Sequence, residues 1–288
     1  MSLTLDAGPA ALQAAESATA AASRAGVLVV DEHDRDRLRD VEALLIAIWG
    51  MSPHGAPIPF DLLRSIAHAG CNVSAAYDHA GQLCGAAVGI VSPGGRSTYS
   101  LIAGVLPGSG DKGVGFALKQ HQRAWSLARG IDTMTWTFDP LVSRNARFNL
   151  TKLGAYASEY ACNFYGQMQD EINANDESDR LVAVWPLASQ RSMDAGRGIH
   201  AEIELPPDHS SAVLEYGPDS LPVLLESGGT LWCRAPRDIV ALRGSNPDAA
   251  ARWRVLVREI FEPAFASGRQ ASGVTRDGWY KLTAPDQA

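Results

Sequence analysis

The sequence has few cysteines and histidines, and neither residue type is spaced as metal ligands would be. The 288 residues include four cysteines and seven histidines, without a C-x-x-C or H-x-x-x-H pair. The spacing predicts free thiols in a reducing compartment, no redox pair and no metal. No run of about 18 apolar residues occurs, so we predict no membrane span.

The amino-terminal stretch, residues 1–25, is rich in alanine but lacks the basic segment with which a signal peptide begins. We therefore interpret it as a flexible tail or a loose helix. Together with the missing apolar run, this favours a cytoplasmic protein without membrane contact.

The chain also has no excess of positive charge. It contains 25 Lys and Arg against 32 Asp and Glu, a formal net charge of -7. Because such a protein repels a phosphate backbone at long range, we expect no nucleic-acid partner. A hydrophobic share of 46% and a charged share of 20% are typical of a globular protein. At about 150 residues per domain, the length predicts roughly two domains.

Apolar spacing predicts alternating strands and helices in the first two thirds of the chain. A strand at 27–32 precedes amphipathic helices at 34–49 and 60–69. Three strand-like runs joined by short turns favour an antiparallel meander. These runs are residues 71–77, 82–91 and 97–106.

After the meander the pattern changes to strand, helix, strand. A helix at 113–129 leads into a strand at 133–138, so the strand at 97–106 should lie parallel to it. The further predicted elements are a helix at 143–153, strands at 156–165 and 181–187, a linker at 189–198 and a helix at 247–266. The predicted fold class is α/β with a mixed (α+β) sheet and a smaller carboxy-terminal α/β extension.

A glycine cluster lies between the third meander strand and the next helix, within residues 105–115. Glycine allows backbone amides to turn toward a ligand, and a helix start adds unpaired amides and a positive dipole end. This combination suits a pyrophosphate. From Lys112 to Arg129 there are four basic residues and no acid. The basic residues either gather around the anion site or form a solvated helix face.

Two nucleotide-type ligands fit this loop. Gly108-x-Gly110-x-x-Gly113 matches a dinucleotide fingerprint, with Asp132 or Asp139 near the position of a ribose-binding acid. A doubly wound sheet needs repeated crossovers, however, and the pattern contains one. No Gly-Lys-Ser/Thr follows, which excludes a Walker loop. The alternative ligand is the pyrophosphate of coenzyme A.

The order of elements over residues 26–187 resembles the GNAT superfamily of N-acetyltransferases. The family's loop pattern is Gln/Arg-x-x-Gly-x-Gly/Ala, and the corresponding residues are Gly110-Asp-Lys-Gly113-Val-Gly115, with glycine at the first position. Residues 137–146 and 148–154 resemble a bacterial branch of predicted acetyltransferases within it. Residues 163–166, 178–180, 251–254 and Arg258 extend that likeness.

The resemblance implies an acyltransferase that uses acetyl-CoA or another acyl-CoA as co-substrate and a small-molecule amine, for example an amino acid, as acceptor. The two central strands would splay apart around the pantetheine arm, and a backbone amide near Val105 would bind the thioester oxygen. The implied coenzyme-binding residues are Leu106, Gly110, Asp111, Lys112, Gly113, Val114, Gly115, Ser143 and Asn145.

The transfer that the resemblance implies needs an acid and a base. The family often has a tyrosine at the position of Leu150, so we predict Tyr165 as the substitute general acid. A neutral amine requires a base, and Asp139 and Glu159 are the candidates.

Substrate contacts follow from charge and position. Arg144 and Arg180 would clamp a carboxylate in a bidentate manner, and Trp49 would wall the acceptor side.

The resemblance divides the chain into a tail, a GNAT-like acyl-CoA-binding domain and an extension. These are residues 1–25, 26–187 and 188–288, and the extension would shape the acceptor site or form a homodimer. Two other functions stay open: a non-catalytic acyl-CoA sensor or scaffold, and a dinucleotide-binding oxidoreductase.

Overall fold

The computed structural model divides the chain into two compact units. Unit 1 comprises Met1–Trp136 with Pro186–Arg197, and unit 2 comprises Thr137–Trp185 with Gly198–Ala288. The residues that the structure describes are 8–50, 55–108, 112–166, 177–200, 203–204, 206 and 213–284. Among them, every helix is too short or too polar to cross a bilayer.

Strands and helices alternate over much of the described chain, as predicted. The strands are β1 Val27–Asp31, β2 Asn72–Asp78, β3 Leu83–Val91, β4 Ser97–Val105, β5 Thr133–Phe138, β6 Tyr156–Ala161, β7 Arg180–Pro186, β8 Val213–Tyr216, β9 Pro222–Ser227, β10 Thr230–Arg234, β11 Gln270–Val274 and β12 Trp279–Thr283. The helices are α1 Pro9–Ala25, α2 Arg35–Trp49, α3 Phe60–His68, α4 Val114–Leu127, α5 Ser143–Arg147, α6 Gln190–Gly196, α7 Ile239–Ser245 and α8 Pro247–Ala266. A π-helical turn, Phe148–Lys152, continues α5.

The strands of unit 1 confirm the mixed sheet. Their order is β1-β2-β3-β4-β5, with antiparallel pairing from β1 to β4 and parallel pairing between β4 and β5. The short connections allow the antiparallel meander, and α4 supplies the crossover that a parallel pair requires. The predicted meander and the predicted parallel pair are thus both present.

Strand β4 separates from β5 soon after the two strands begin to pair. Their register covers Ser97–Tyr99 against Thr133–Thr135, whereas β4 continues to Val105. On its other side β4 pairs Ser100 with Gly89 and Ile102 with Val88, so that Leu101 is an extra residue. Such a bulge bends the strand and increases its twist. The bulge lies just beyond the last pair of β4 with β5, and we call the space between Ser100–Val105 of β4 and Trp136 of β5 the β4–β5 gap.

Helices cover both faces of the unit 1 sheet because its central strands are apolar on both sides. Ala86 of β3 packs in a cluster with α2 and α3, and the next residue, Ala87, packs in a cluster with α1 and α4. Successive strand residues point to opposite faces, so these two clusters form separate layers. A strand buried on both faces reads as a nearly continuous apolar run.

The amino-terminal segment differs from the expected flexible tail, because α1 is a packed helix. Ala14, Ala21 and Ala25 are buried, and α1 lies along α4. Small alanine side chains let the two helices approach closely, so that α1 packs although its one large apolar residue, Leu12, is exposed. The predicted linker 189–198 also differs, since it contains α6, whose amino terminus is capped by Ser189.

Unit 2 has strands in the order β7-β6-β11-β12-β10-β9-β8. Neighbouring strands are antiparallel, and Ala157 of β6 lies opposite Ala271 of β11. Phe261 of α8 packs against Tyr280 and is fully buried. The predicted domain boundary at residue 187 stays a prediction. The division into two compact units groups residues 137–185 with the carboxy-terminal strands.

Gly104 of β4 provides a direct test of the packing in unit 1. A Cβ at this position would lie 2.6 Å from Cζ3 of Trp49 and 2.9 Å from Cδ1 of Ile48. We expect Gly104→Ala to lower the free energy of unfolding by about 1–3 kcal/mol through overpacking. Urea unfolding followed by circular dichroism measures this change.

The control is Gly244→Ala in α7, where an added Cβ meets open space. Alanine favours the helix there by about 0.5–1 kcal/mol. Equal effects of the two substitutions would contradict the close contact between Trp49 and β4.

Candidate functional site

The end of β4 and the start of α4 form one side of the candidate site. Gly113 has φ +89°, a left-handed conformation that favours glycine, and α4 begins directly after it. No side chain among the described residues caps this helix start. The first amides of an α-helix have no intrahelical acceptor, so those at the start of α4 are suited to an anion.

Several predicted coenzyme-binding residues meet at this point. A Cβ on Gly115 would be in ordinary contact, 3.7 Å from Cγ2 of Val105. Leu106 donates its backbone N–H to the Cys84 carbonyl at 3.0 Å, and Lys112 is exposed. The structure thus brings Val105, Leu106 and the Gly113–Gly115 helix start together. Gly110 and Asp111, also predicted here, lie outside the described residues.

Trp49 lies against the same strand. Its indole occupies the space above Gly104, next to Val105, and packs against the apolar cluster of α2, α3 and the sheet. Trp49 is therefore partly a core residue and partly a neighbour of the strand end that the sequence assigned to the thioester. Its role toward an acceptor stays a prediction.

A buried lysine lies where β4 and β5 begin to diverge, and the sequence analysis did not single it out. The Nζ of Lys119, on α4, donates to the Ser100 hydroxyl at 2.7 Å and lies 4.0 Å from the ring centroid of Trp136. Ser100 and Trp136 are the first residues of β4 and β5 beyond their last paired positions. Lys119 is 4% exposed, and burial lowers its pKa to about 7.

A chain of hydrogen bonds fixes the groups around this lysine. The Ser100 hydroxyl donates to Gln122 Oε1 at 3.0 Å, and Gln122 Nε2 donates to Asn72 Oδ1 at 3.2 Å. Asn72 Nδ2 donates in turn to Asp31 Oδ1 at 2.9 Å, where His121 is also in contact. Because the Ser100 proton is engaged with Gln122, the oxygen is left to accept from Lys119.

The basic residues in the middle of α4 therefore do not form a solvated helix face. Lys119 is buried, and so is Arg123, which donates to the Leu187 carbonyl and to Gln13 Oε1, each at 2.8 Å. Neither sequence interpretation of these two cations holds. The available signal was the set of neutral polar residues on the same helix, Gln120, Gln122 and Ser126, which are buried too.

Asp139, a predicted base, lies in unit 2 within a buried ion cluster. Its carboxylate accepts from Arg243 at 2.6 Å and from Arg254 at 2.8 and 3.1 Å. Burial alone would raise the pKa of Asp139, but attraction to the two arginines outweighs it and lowers the pKa to about 2. A carboxylate held ionised in this way is a weak base, so the geometry favours a structural role.

Tyr165, the predicted general acid, is half exposed in unit 2. Its hydroxyl is 3.0 Å from Thr137 Oγ1, and the Arg180 guanidinium lies 5.3 Å from its ring centroid. The structure therefore brings Tyr165 and Arg180 together. Glu159, the other predicted base, is exposed on β6.

The remaining predicted residues, Ser143, Arg144 and Asn145, lie on α5. Ser143 is the first helical residue, not the cap, which is Val142 without a side-chain bond. Asn145 accepts from Asn149 at 3.4 Å, and Arg144 is exposed. No group of three His, Cys, Asp or Glu side chains within the described ranges is arranged as metal ligands would be.

Comparisons with known proteins give matches among solved structures alone. No protein-family model and no curated protein sequence matches the chain. The ribosomal-protein-S18-alanine N-acetyltransferase from Escherichia coli is 14% identical, with a TM-score of 0.45 over 57% of this chain and 95% of that one. A GNAT-family acetyltransferase from Streptococcus pneumoniae is 10% identical, with a TM-score of 0.46 over 55% and 97%.

A third match contains a ligand. The yncA protein from Salmonella typhimurium, solved with its cofactor acetyl-CoA, is 14% identical, with a TM-score of 0.45 over 63% of this chain and 98% of that one. The GNAT family named in the Streptococcus pneumoniae match is the one that the sequence resembles.

The ion cluster around Asp139 predicts a large effect of removing its charge. We expect Asp139→Asn to lower the free energy of unfolding by about 3–5 kcal/mol, because two arginines would stay buried without their carboxylate. Denaturant unfolding near pH 7 measures the loss. Asp219→Asn is the matched control: Asp219 also pairs with an arginine, Arg234, but is 38% exposed. Its loss should be within about 1 kcal/mol, and similar losses for both variants would contradict the buried cluster.

The lowered pKa of Lys119 predicts how stability depends on pH. Between about pH 7 and pH 10 the unfolded chain holds a proton on this amine that the folded chain has released. Stability of the wild type should therefore rise with pH in this window, by at most about 1.4 kcal/mol per pH unit. Lys119→Met should lack that increment in denaturant titrations at several pH values. Lys152→Met, which removes an exposed lysine, should retain it; identical profiles of wild type and Lys119→Met would refute the assignment.

Proposed function

We propose that this protein is an acyl-CoA-dependent N-acyltransferase that moves an acetyl or another short acyl group to the primary amine of a small molecule. The observation that carries the proposal is the early end of the β4–β5 pairing together with the uncapped start of α4; the free edge of β4, Ser100–Val105, and this helix start both belong to unit 1. The gap can take an extended chain, and the helix start can take the phosphates at its end.

The residues of unit 1 suit the parts of an acyl-CoA. The amides of Gly113, Val114 and Gly115, with the exposed Lys112, would hold the pyrophosphate. The edge of β4 from Leu101 to Val105, released from β5, presents backbone donors and acceptors to an amide-containing pantetheine arm. This is the mode in which an extended ligand adds to a free strand edge.

The chemistry needs few groups once donor and acceptor are held together. The neutral amine attacks the thioester carbonyl carbon, and the C–S bond breaks to leave the thiolate. The amine proton passes to a base, and the thiolate takes up a proton. A backbone N–H on the free edge of β4 would stabilise the oxyanion, and positioning supplies much of the remaining rate gain.

The proton-transfer groups belong to the proposal as well. The ion cluster around Asp139 argues against its use as the base. Tyr165 stays our candidate for the acid, and Arg180, which lies by its ring, for the anchor of a carboxylate on the acceptor. A thiol of ordinary pKa, about 8.5, leaves acceptably even without an acid.

A dinucleotide-binding oxidoreductase is not favoured. Such a fold needs repeated parallel crossovers, and among the four neighbouring strand pairs of unit 1 just one, β4 with β5, is parallel.

The test combines binding with turnover. Calorimetric titration should show binding of CoA and none of NAD(H) or NADP(H), and thiol release from acetyl-CoA should become continuous with one or more members of an amino-acid and amine panel. Binding of CoA without turnover on any amine would favour the sensor alternative. Binding of dinucleotides but not CoA would contradict the proposal.

Two glycine substitutions test whether the start of α4 binds the phosphates of CoA. We expect Gly113→Ala to weaken CoA binding about tenfold or more, because hydrogen bonds to a charged group are worth roughly 1.5–3 kcal/mol each. Gly81→Ala is the control, since Gly81 has a similar positive φ, +76°, in the turn between β2 and β3. Calorimetry should show unchanged affinity for the control, and equal affinities of both variants would argue against a phosphate site at Gly113.

A further inference from the structure

The amine of Lys119 contacts one residue from each of the two strands that border the β4–β5 gap. It bonds to Ser100 and faces the Trp136 ring, and these two residues are the first beyond the last pair that β4 and β5 make with each other. All three residues belong to unit 1. An extended ligand that enters the gap toward its closed end therefore ends beside this amine.

The surroundings of Lys119 favour an uncharged, nucleophilic amine. Within the described residues no carboxylate lies within ion-pair distance of Nζ, and the Ser100 oxygen and the Trp136 ring are its polar contacts. The nearest acid of the hydrogen-bond chain, Asp31, is engaged by Asn72 and His121. The contacts shown for an ammonium are one acceptor, the Ser100 oxygen, and the Trp136 ring face, which attracts a cation; the neutral amine needs no more than these and keeps a lone pair.

Burial adds to this preference. With its pKa lowered to about 7, Lys119 is neutral in a large fraction of molecules at neutral pH. An unperturbed lysine, with a pKa of about 10.4, is neutral in fewer than about one molecule in a thousand.

We propose that Lys119 is a self-acylation site, modified by an acyl thioester bound in the β4–β5 gap. This inference rests on the proposed function, because it takes the acyl-CoA donor from it.

The step balances without a further reactant. The Nζ lone pair attacks the thioester carbonyl carbon and forms a C–N bond. The C–S bond breaks, its electron pair leaves on sulfur, and the proton released by nitrogen converts the thiolate to the free thiol. The products are an N6-acyl-lysine and CoA.

The product is an amide, which an amine does not cleave as it cleaves a thioester. Acylation of Lys119 is therefore a modification and not a turnover intermediate. It replaces a titratable amine at the closed end of the gap by a neutral amide. Without an acceptor, each chain should release at most one thiol.

The chain is well suited to mapping this reaction because it has just four lysines. They are Lys112, Lys119, Lys152 and Lys281. Lys112 and Lys152 are exposed, so reaction in solution without a bound donor would modify them in preference to Lys119.

The experiment incubates the full chain with acetyl-CoA at pH 7, without an amine acceptor, and follows intact mass, thiol release and modified peptides. We expect one acetyl group per chain, mapped to Lys119, with a matching single-turnover release of thiol. Lys119→Met should lose both signals and still bind CoA by calorimetry. Lys152→Met should keep both, and the wild-type peptide map decides the question even if Lys119→Met does not fold.

The outcomes separate this inference from the proposed function. Acetyl groups on the exposed lysines alone, or none, in a chain that binds CoA and transfers to an added amine, would overturn self-acylation and leave the proposed function standing. A chain that binds no CoA would overturn both.

Discussion

The early end of the ladder between β4 and β5 is the feature on which the candidate site depends. The two strands pair at three positions, both continue beyond them, and the bulge at Leu101 lies two residues after the last pair. A strand edge inside a covered sheet is costly unless its backbone groups find partners. The early end of the ladder therefore leaves a row of main-chain groups that need partners, which the proposed acyl-CoA would supply.

The interior beneath that edge is polar where an apolar core would be expected. Lys119, Ser100, Gln122 and Asn72 form a chain of hydrogen bonds between α4 and the sheet. Buried polar groups stabilise a fold when each finds its partner and destabilise it otherwise. Lys119 is the one ionisable group among these four, and burial lowers its pKa to about 7. A fixed position and this lowered pKa together are the basis for the proposed chemical role.

Local patterns predicted the elements of unit 1 better than they predicted its site. Apolar runs at 82–91 and 97–106 and the helix after them suffice for the meander and the crossover, since these depend on neighbours in sequence. The bulge at Leu101 depends on the register with β3, which no local pattern specifies. Asp139 finds its arginines 104 and 115 positions further along the chain, so the sequence suggested a base where the structure has an ion cluster. Lys119 lies in a basic run and was not distinguished from surface charge.

The central claim is that an acyl thioester lies along the free edge of β4. Amide hydrogen exchange across Ser100–Val105, with and without a non-hydrolysable acyl-CoA analogue, tests it most directly, because backbone amides that gain an acceptor exchange more slowly. The account predicts slower exchange along this edge and at the start of α4 when the analogue is bound. Saturating analogue that slows exchange elsewhere and leaves Ser100–Val105 unchanged would contradict it.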